Sequence, residues 1–145
     1  MIMVSGIALL SCGSTKKNTP VNLPTDMNTS LTETYWRLTE LMGQPIVYSD
    51  GAKKEMHLIL KKEGNSVTGN GGCNSFTGSY SLQDGYGIIF SQLAATRMAC
   101  INMDKEKEFM DMLPTVDNYV IKGNILSLIK ASMAPLAKFE AVYMK

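Results

Sequence analysis

From Tyr35 onward the chain is a series of short runs of apolar residues, alternating or continuous. Almost every run stops at Gly, Asn or Asp. A period of two places successive side chains on opposite faces of an extended strand, and the punctuating residues are those that turn a chain back on itself. Trp36 and Leu38, and more weakly Glu40, alternate with Arg37, Thr39 and Leu41 until Gly43-Gln44-Pro45 breaks the run. Met56–Lys61 is a second run, closed by Glu63-Gly64-Asn65, and Ser66–Gly69 follows that turn. Phe76–Leu82 alternates large with small residues. Asp84-Gly85 is a hairpin turn, and Tyr86–Phe90 returns from it. Asn118–Lys122 turns at Gly123-Asn124 into Ile125–Ile129, and Leu136–Tyr143 closes the chain.

One helix interrupts this series. Asp104–Leu113 reads DKEKEFMDML, with Asn102 or Asp104 as cap and acids near its start. Phe109, Met112, Leu113 and Val116 fall on one stripe, and Pro114 marks the end. The reading is about eight strands and one helix. Sequential hairpins favour antiparallel pairing, and a sheet of this size curls into a barrel or two packed layers. The helix then covers an open end or face.

The segment before Tyr35 has a different character. Met1–Leu10 is an uncharged apolar run, too short for a helix that needs about 20 residues to span a bilayer. It suits the apolar core of a secretory signal. Leu9-Leu10-Ser11-Cys12, followed by Gly13, resembles the lipobox of bacterial lipoproteins, in which the Cys is lipidated and becomes the mature N-terminus. Two features depart from that pattern: no Lys or Arg precedes the apolar run, and Leu10 is larger than the usual residue. Residues 1–12 are therefore expected to be signal and lipobox, with Cys12 as the lipidation site. Residues 13–34 are rich in Ser, Thr, Asn, Pro and Lys, and their four apolar residues bury little. They read as a flexible linker with a reach of at most about 70 Å, or with last residues that pair as an edge strand. Residues 35–145 are the domain.

The most unusual stretch is Gly69–Tyr80, GNGGCNSFTGSY, with four glycines in ten residues. Such a stretch turns sharply. It is not a phosphate loop, because no Lys-Ser or Lys-Thr pair follows and the next element is a strand. Cys73 lies here and Cys100 in Ala95-Thr96-Arg97-Met98-Ala99-Cys100. With Cys12 reserved for lipid, two cysteines remain for a disulfide in an oxidising compartment, closing 28 residues. The alternative is two buried free thiols. Asn74, and Arg97 beside Thr96, are read as a polar network bracing that disulfide, with a surface patch that meets a ligand or partner as the sharper alternative; Gly71 and Gly72 belong to the same motif and possible binding site.

No catalytic set accompanies them. His57, the sole histidine, sits inside a strand as the one candidate base for Cys73, and a disulfide would remove the thiolate that such chemistry requires. One His and two Cys at this spacing make no zinc pattern. Glu106, Glu108 and Asp111 alternate with Lys105 and Lys107 and read as a solvated helix face. The net charge of +1, without a basic block, excludes nucleic acid as a partner.

The chain resembles the META domain, the family of the bacterial heat-shock protein HslJ. The residues that carry the resemblance are Trp36 and Leu38, Gly71-Gly72-Cys73-Asn74 with Phe76, Gly78 and Tyr80, and Thr96-Arg97-Met98-Ala99-Cys100. Glu106–Leu113, Tyr119 and Leu126 with Leu128 also fit, so the match spans nearly all of 35–145. It implies a mainly β (α+β) fold, a curved antiparallel sheet or cracked barrel with one covering helix. It also implies an envelope setting, a loose link to stress or drug tolerance, and no catalytic activity or cofactor. By analogy the fold is also similar to pilotin lipoproteins of secretion systems.

Two functions are expected from these readings. The first is a non-catalytic module, anchored to a membrane of the envelope by its N-terminal lipid, that binds an envelope protein from the periplasm or the cell surface. The second is a carrier that holds a hydrophobic ligand or acyl chain in the barrel interior. Eleven methionines favour adaptable apolar surfaces, including a Met-lined pocket between helix and sheet. An interior filled by Trp36, Phe76, Tyr80, Phe90, Phe109 and Phe139 would oppose the carrier.

Overall fold

The computed structural model describes residues 29–48, 54–101 and 103–143. Cys12, its lipobox and the first part of the tether lie outside them. The described chain forms β1 (Tyr35–Leu41), β2 (Gln44–Pro45), β3 (His57–Lys61), β4 (Ser66–Asn70), β5 (Ser75–Leu82) and β6 (Ile88–Ala95). Then come α1 (Asp104–Met112), β7 (Asn118–Lys122), β8 (Ile125–Ile129) and β9 (Ala137–Val142).

All the strands join one antiparallel sheet in the order β6-β5-β4-β3-β1-β9-β8-β7, with β2 folded back on β1. The run Gly43-Gln44-Pro45 is thus a tight turn and a two-residue strand, not simply a break. The sheet curls until its two edges touch at one point. There Gly87 bridges Asn118, with Ile88 N donating to Asp117 O (3.0 Å) and Tyr119 N to Tyr86 O (2.9 Å). The result is the cracked barrel that the family resemblance implies.

Alternation decides which face is inside, except where a bulge resets it. In β1 the pairing with β9 shifts between Leu38 and Glu40. The extra residue sends Leu41 into the core and leaves Glu40 outside to pair with Lys138 at 3.0 Å. Plain period-two reading puts those two the other way round.

The helix starts without a side-chain cap, with Met103 at the cap position; Asn102 lies outside the described residues, and Asp104 is the first helical residue. Pro114 does not end the chain's coiling but sits in a 3-10 turn, Leu113–Thr115, that carries the apolar stripe on to Val116. Phe109, Met112, Leu113 and Val116 are all buried. Phe109 lies 5.8 Å from the Phe76 ring and 6.1 Å from Phe139, so the helix plugs the open side of the curl. Trp36, Phe76, Tyr80, Phe90, Phe109 and Phe139 are all buried in that interior.

The last residues of the expected linker are seated on the domain. Leu31 is buried, its carbonyl accepts the Trp36 indole N–H at 2.9 Å, and Thr32 bridges Leu60 in parallel. Glu33 accepts Lys62 N at 2.8 Å, and Thr29 Oγ1 meets Tyr143 Oη at 2.9 Å. The packed chain thus includes Thr29–Thr34, which a boundary at Tyr35 leaves out. Sparse apolar content misleads here because one buried Leu and several backbone partners suffice to seat the segment.

These contacts also give the barrel two distinguishable ends. β9 runs from Ala137, opposite Leu41, to Val142, opposite Tyr35. Thr29 and Tyr143 mark the second end. The first end carries Leu41, the α1 helix and the β4–β5 loop, about 20 Å away along a six-residue strand.

Candidate functional site

The glycine-rich stretch joins β4 to β5 as a tight loop whose ends, Asn70 and Ser75, pair directly. Asn70 is buried, and its Oδ1 accepts Gly72 N at 2.8 Å. Gly71 N donates to Asn74 O at 2.9 Å. Gly72 has a φ of 115°, a conformation open to glycine and strained for any other residue. The loop so formed aims two consecutive backbone N–H groups at one point on the helix.

That point is Glu106. Its Oε2 accepts Cys73 N at 2.8 Å and Asn74 N at 2.7 Å, and its Oε1 accepts Asn74 Nδ2 at 2.6 Å. Glu106 is only 8 % exposed, so it is not part of the solvated helix face. Glu108 and Asp111 do stay on that face, paired with Lys105 and Lys107. Burial alone would raise the Glu106 pKa. The hydrogen bonds from Asn74 backbone, Asn74 side chain and Cys73 backbone outweigh it and hold the carboxyl below its ordinary value. The spacing carries a signal for this: Glu106 precedes Phe109 by three, which puts it on the buried stripe.

Asn74 is the hub of the arrangement. Its Oδ1 accepts Thr96 Oγ1 at 2.9 Å and Met98 N at 2.7 Å, while Nδ2 also reaches Met98 O at 3.2 Å. The Cys73–Cys100 disulfide (Cα–Cα 6.2 Å) closes the same loop from outside. Of the motif residues singled out in the sequence, Gly71, Gly72, Asn74 and Thr96 come together. Arg97 does not: it is exposed and makes no hydrogen bond or ion pair among the described residues. Thr96 reaches Asn74 through its hydroxyl and Met98 through its backbone N–H and C=O, while the Arg97 side chain, next to Thr96 on an extended segment, points the other way.

Gly71 is fixed by contact rather than by dihedral angle. A Cβ there would lie 2.7 Å from Glu106 Cγ. Gly71→Ala should therefore push the carboxylate off its donors and lower stability by about 1 to 3 kcal/mol, read as a lower urea midpoint at unchanged slope.

His57 lies outside this cluster. Its ring stacks on Tyr35 (4.3 Å between centroids), with Nδ1 2.9 Å from Glu55 O. Arg37 crosses nearby between Glu55 (3.4 Å) and Glu140 (3.2 Å). The Cys73 sulfur is bonded to Cys100 and is not a free thiolate. The Glu106 carboxylate is taken up by three donors. Among the described residues no three His, Cys, Asp or Glu side chains converge where a cation would sit. The cluster ties the 96–101 segment to the loop and the helix, and leaves Arg97, Met98 and Ile101 exposed, Ile101 at 92 %.

Comparison with known proteins gives a concordant picture. A family model described as the META domain matches residues 29–143, most of the chain. A solved structure described as "NMR structure of the protein from Burkholderia xenovorans" is similar at 24 % identity and a TM-score of 0.61, over 79 % of this chain and 85 % of that one. A second, described as "NMR structure of the protein", is similar at 23 % identity and a TM-score of 0.58, over 76 % of this chain and 90 % of that one. At these identities the likeness is one of fold. No curated protein matches.

Proposed function

The chain belongs to the META domain family, and from that premise we propose that it is a lipid-tethered interaction module of the bacterial envelope, active under envelope stress. In this reading Cys12 carries the lipid and the domain works in the periplasm or at the cell surface. Its working surface is the barrel end that bears the Cys73–Cys100 loop. The observation that supports it is the exposed trio Arg97, Met98 and Ile101 on a segment held by a disulfide and by Asn74. An exposed loop whose backbone is tied down by a disulfide and hydrogen bonds, with an apolar tip and an unpaired guanidinium, binds at a reduced cost of backbone ordering. It lies at the end opposite Thr29, where the chain from a lipid would enter. The side chains that fill the interior speak for surface recognition over a ligand carried inside.

Affinity capture from envelope extracts tests this reading. The wild-type chain should enrich a partner that Arg97→Ala/Ile101→Ser loses and that Tyr143→Ala, at the other end, retains. Cys12→Ala should move the protein from the membrane to the soluble fraction. Equal capture by both surface variants would overturn the proposed surface, and unchanged fractionation would overturn the anchor.

A further inference from the structure

Beside the loop, at the same end of the barrel, an open groove of about 450 Å³ runs between α1 and the sheet. Its floor is apolar: Met112 from the helix, Met42 from the turn after β1, and Leu136 from the approach to β9. Met42 N donates to Leu136 O at 2.7 Å, which fixes the far wall. The helix wall is acidic. Asp104, Glu108 and Asp111 line it against one base, Lys107. Glu108 is held by Lys105 at 2.8 Å and Asp111 by Lys107, whereas Asp104 has no side-chain partner among the described residues.

We propose that this groove is a docking site for a cationic amphipathic peptide segment of a protein partner. Methionine floors adapt to varied apolar side chains, and one helical turn of a bound segment presents such side chains on one side with Lys or Arg beside them. Those cations would meet Asp104 directly and share Asp111 with Lys107, giving charge complementarity along one wall. An acyl chain fits the floor equally well, but its anionic head would face Asp104, the carboxylate of this wall that has no cation of its own among the described residues. The groove thus selects by charge what its floor leaves open. This inference deepens the interaction reading above and rests on it, adding a second contact beside the Arg97–Ile101 loop.

The test uses the full chain with ¹³C-methyl-labelled methionine and two synthetic fourteen-residue peptides. One is built of leucine and lysine at helical spacing, the other of leucine and glutamate. The leucine–lysine peptide should bind at least tenfold more tightly and shift the Met42 and Met112 methyl signals while leaving Met56 and Met98 in place. Asp104→Lys/Asp111→Lys, both at exposed positions, should weaken that binding at least tenfold. Equal affinity for the two peptides, no binding of either, or shifts centred on Met98 would overturn the proposal. So would dodecanoate binding at Met42 and Met112 more tightly than the leucine–lysine peptide. Any of these results leaves the loop-dependent capture and the Cys12→Ala fractionation as separate readouts of the broader reading.

Discussion

Glu106→Ala should cost about 3 to 5 kcal/mol, the largest effect of any single polar substitution in the helix. Three donors lose a charged acceptor at once: two backbone N–H groups and the Asn74 amide. Each such bond contributes about 1.5 to 3 kcal/mol, and the donors left behind face little water at a site this buried. A loss of that size is a large fraction of the stability of an ordinary domain. Glu108→Ala is the control. It lies two residues away in the same helix, half-exposed and paired with Lys105, and should move stability by less than about 1 kcal/mol. Urea unfolding of the two variants reads the contrast directly. Equal, small effects would show that water or a neighbouring side chain replaces the carboxylate, and Glu106 would then not be what holds the loop to the helix.

The same carboxylate carries a pH signature. Its folded pKa lies below the ordinary 4.5, so ionised Glu106 is favoured in the folded state over the unfolded one. Its contribution is complete above the unfolded pKa and is lost as pH falls through the folded pKa. Wild-type stability should therefore decline into acid more steeply than that of Glu106→Gln, and the two curves should approach each other at low pH. Parallel curves would mean that other carboxylates dominate the acid response.

The hairpins are legible in the sequence alone. Alternation and turn residues suffice for them, because each strand buries one face and each turn needs a special backbone conformation. The same signals fail at Thr39, where one extra residue inverts the faces of Glu40 and Leu41, since a bulge is a property of two paired strands and not of one. The Cys73–Cys100 pairing is legible from counting cysteines. The partner of Asn74 is not, because Glu106 belongs to a run of alternating charges whose other members do face water. Only its three-residue spacing from Phe109 sets it apart. Arg97 illustrates the converse: neighbours in sequence at an extended segment point to opposite sides, so adjacency to Thr96 misplaces it. The groove shows in the sequence only as a surplus of methionine, since Met42 and Leu136 come from distant parts of the chain and meet through sheet closure.

Removing the disulfide with Cys73→Ala/Cys100→Ala should cost about 3.5 kcal/mol, because opening a closed segment of about 28 residues restores that much entropy to the unfolded chain. Little of the loss should come from the folded state. Asn74 stays tied to Thr96 and Met98 by three hydrogen bonds and to Glu106 by two, so the loop has reason to remain closed without its covalent link. A four-way cycle separates these origins. Glu106→Gln is the better partner here, since Glu106→Ala combined with the disulfide loss would approach the whole stability of a typical domain. If the disulfide acts through the unfolded chain, Glu106→Gln should cost the same, within about 0.5 kcal/mol, with or without the cysteines. If its cost falls by more than half in the cysteine-free background, the loop opens once the link is gone. The disulfide would then be holding Arg97, Met98 and Ile101 in their exposed arrangement, and capture by that surface should fail under reducing conditions.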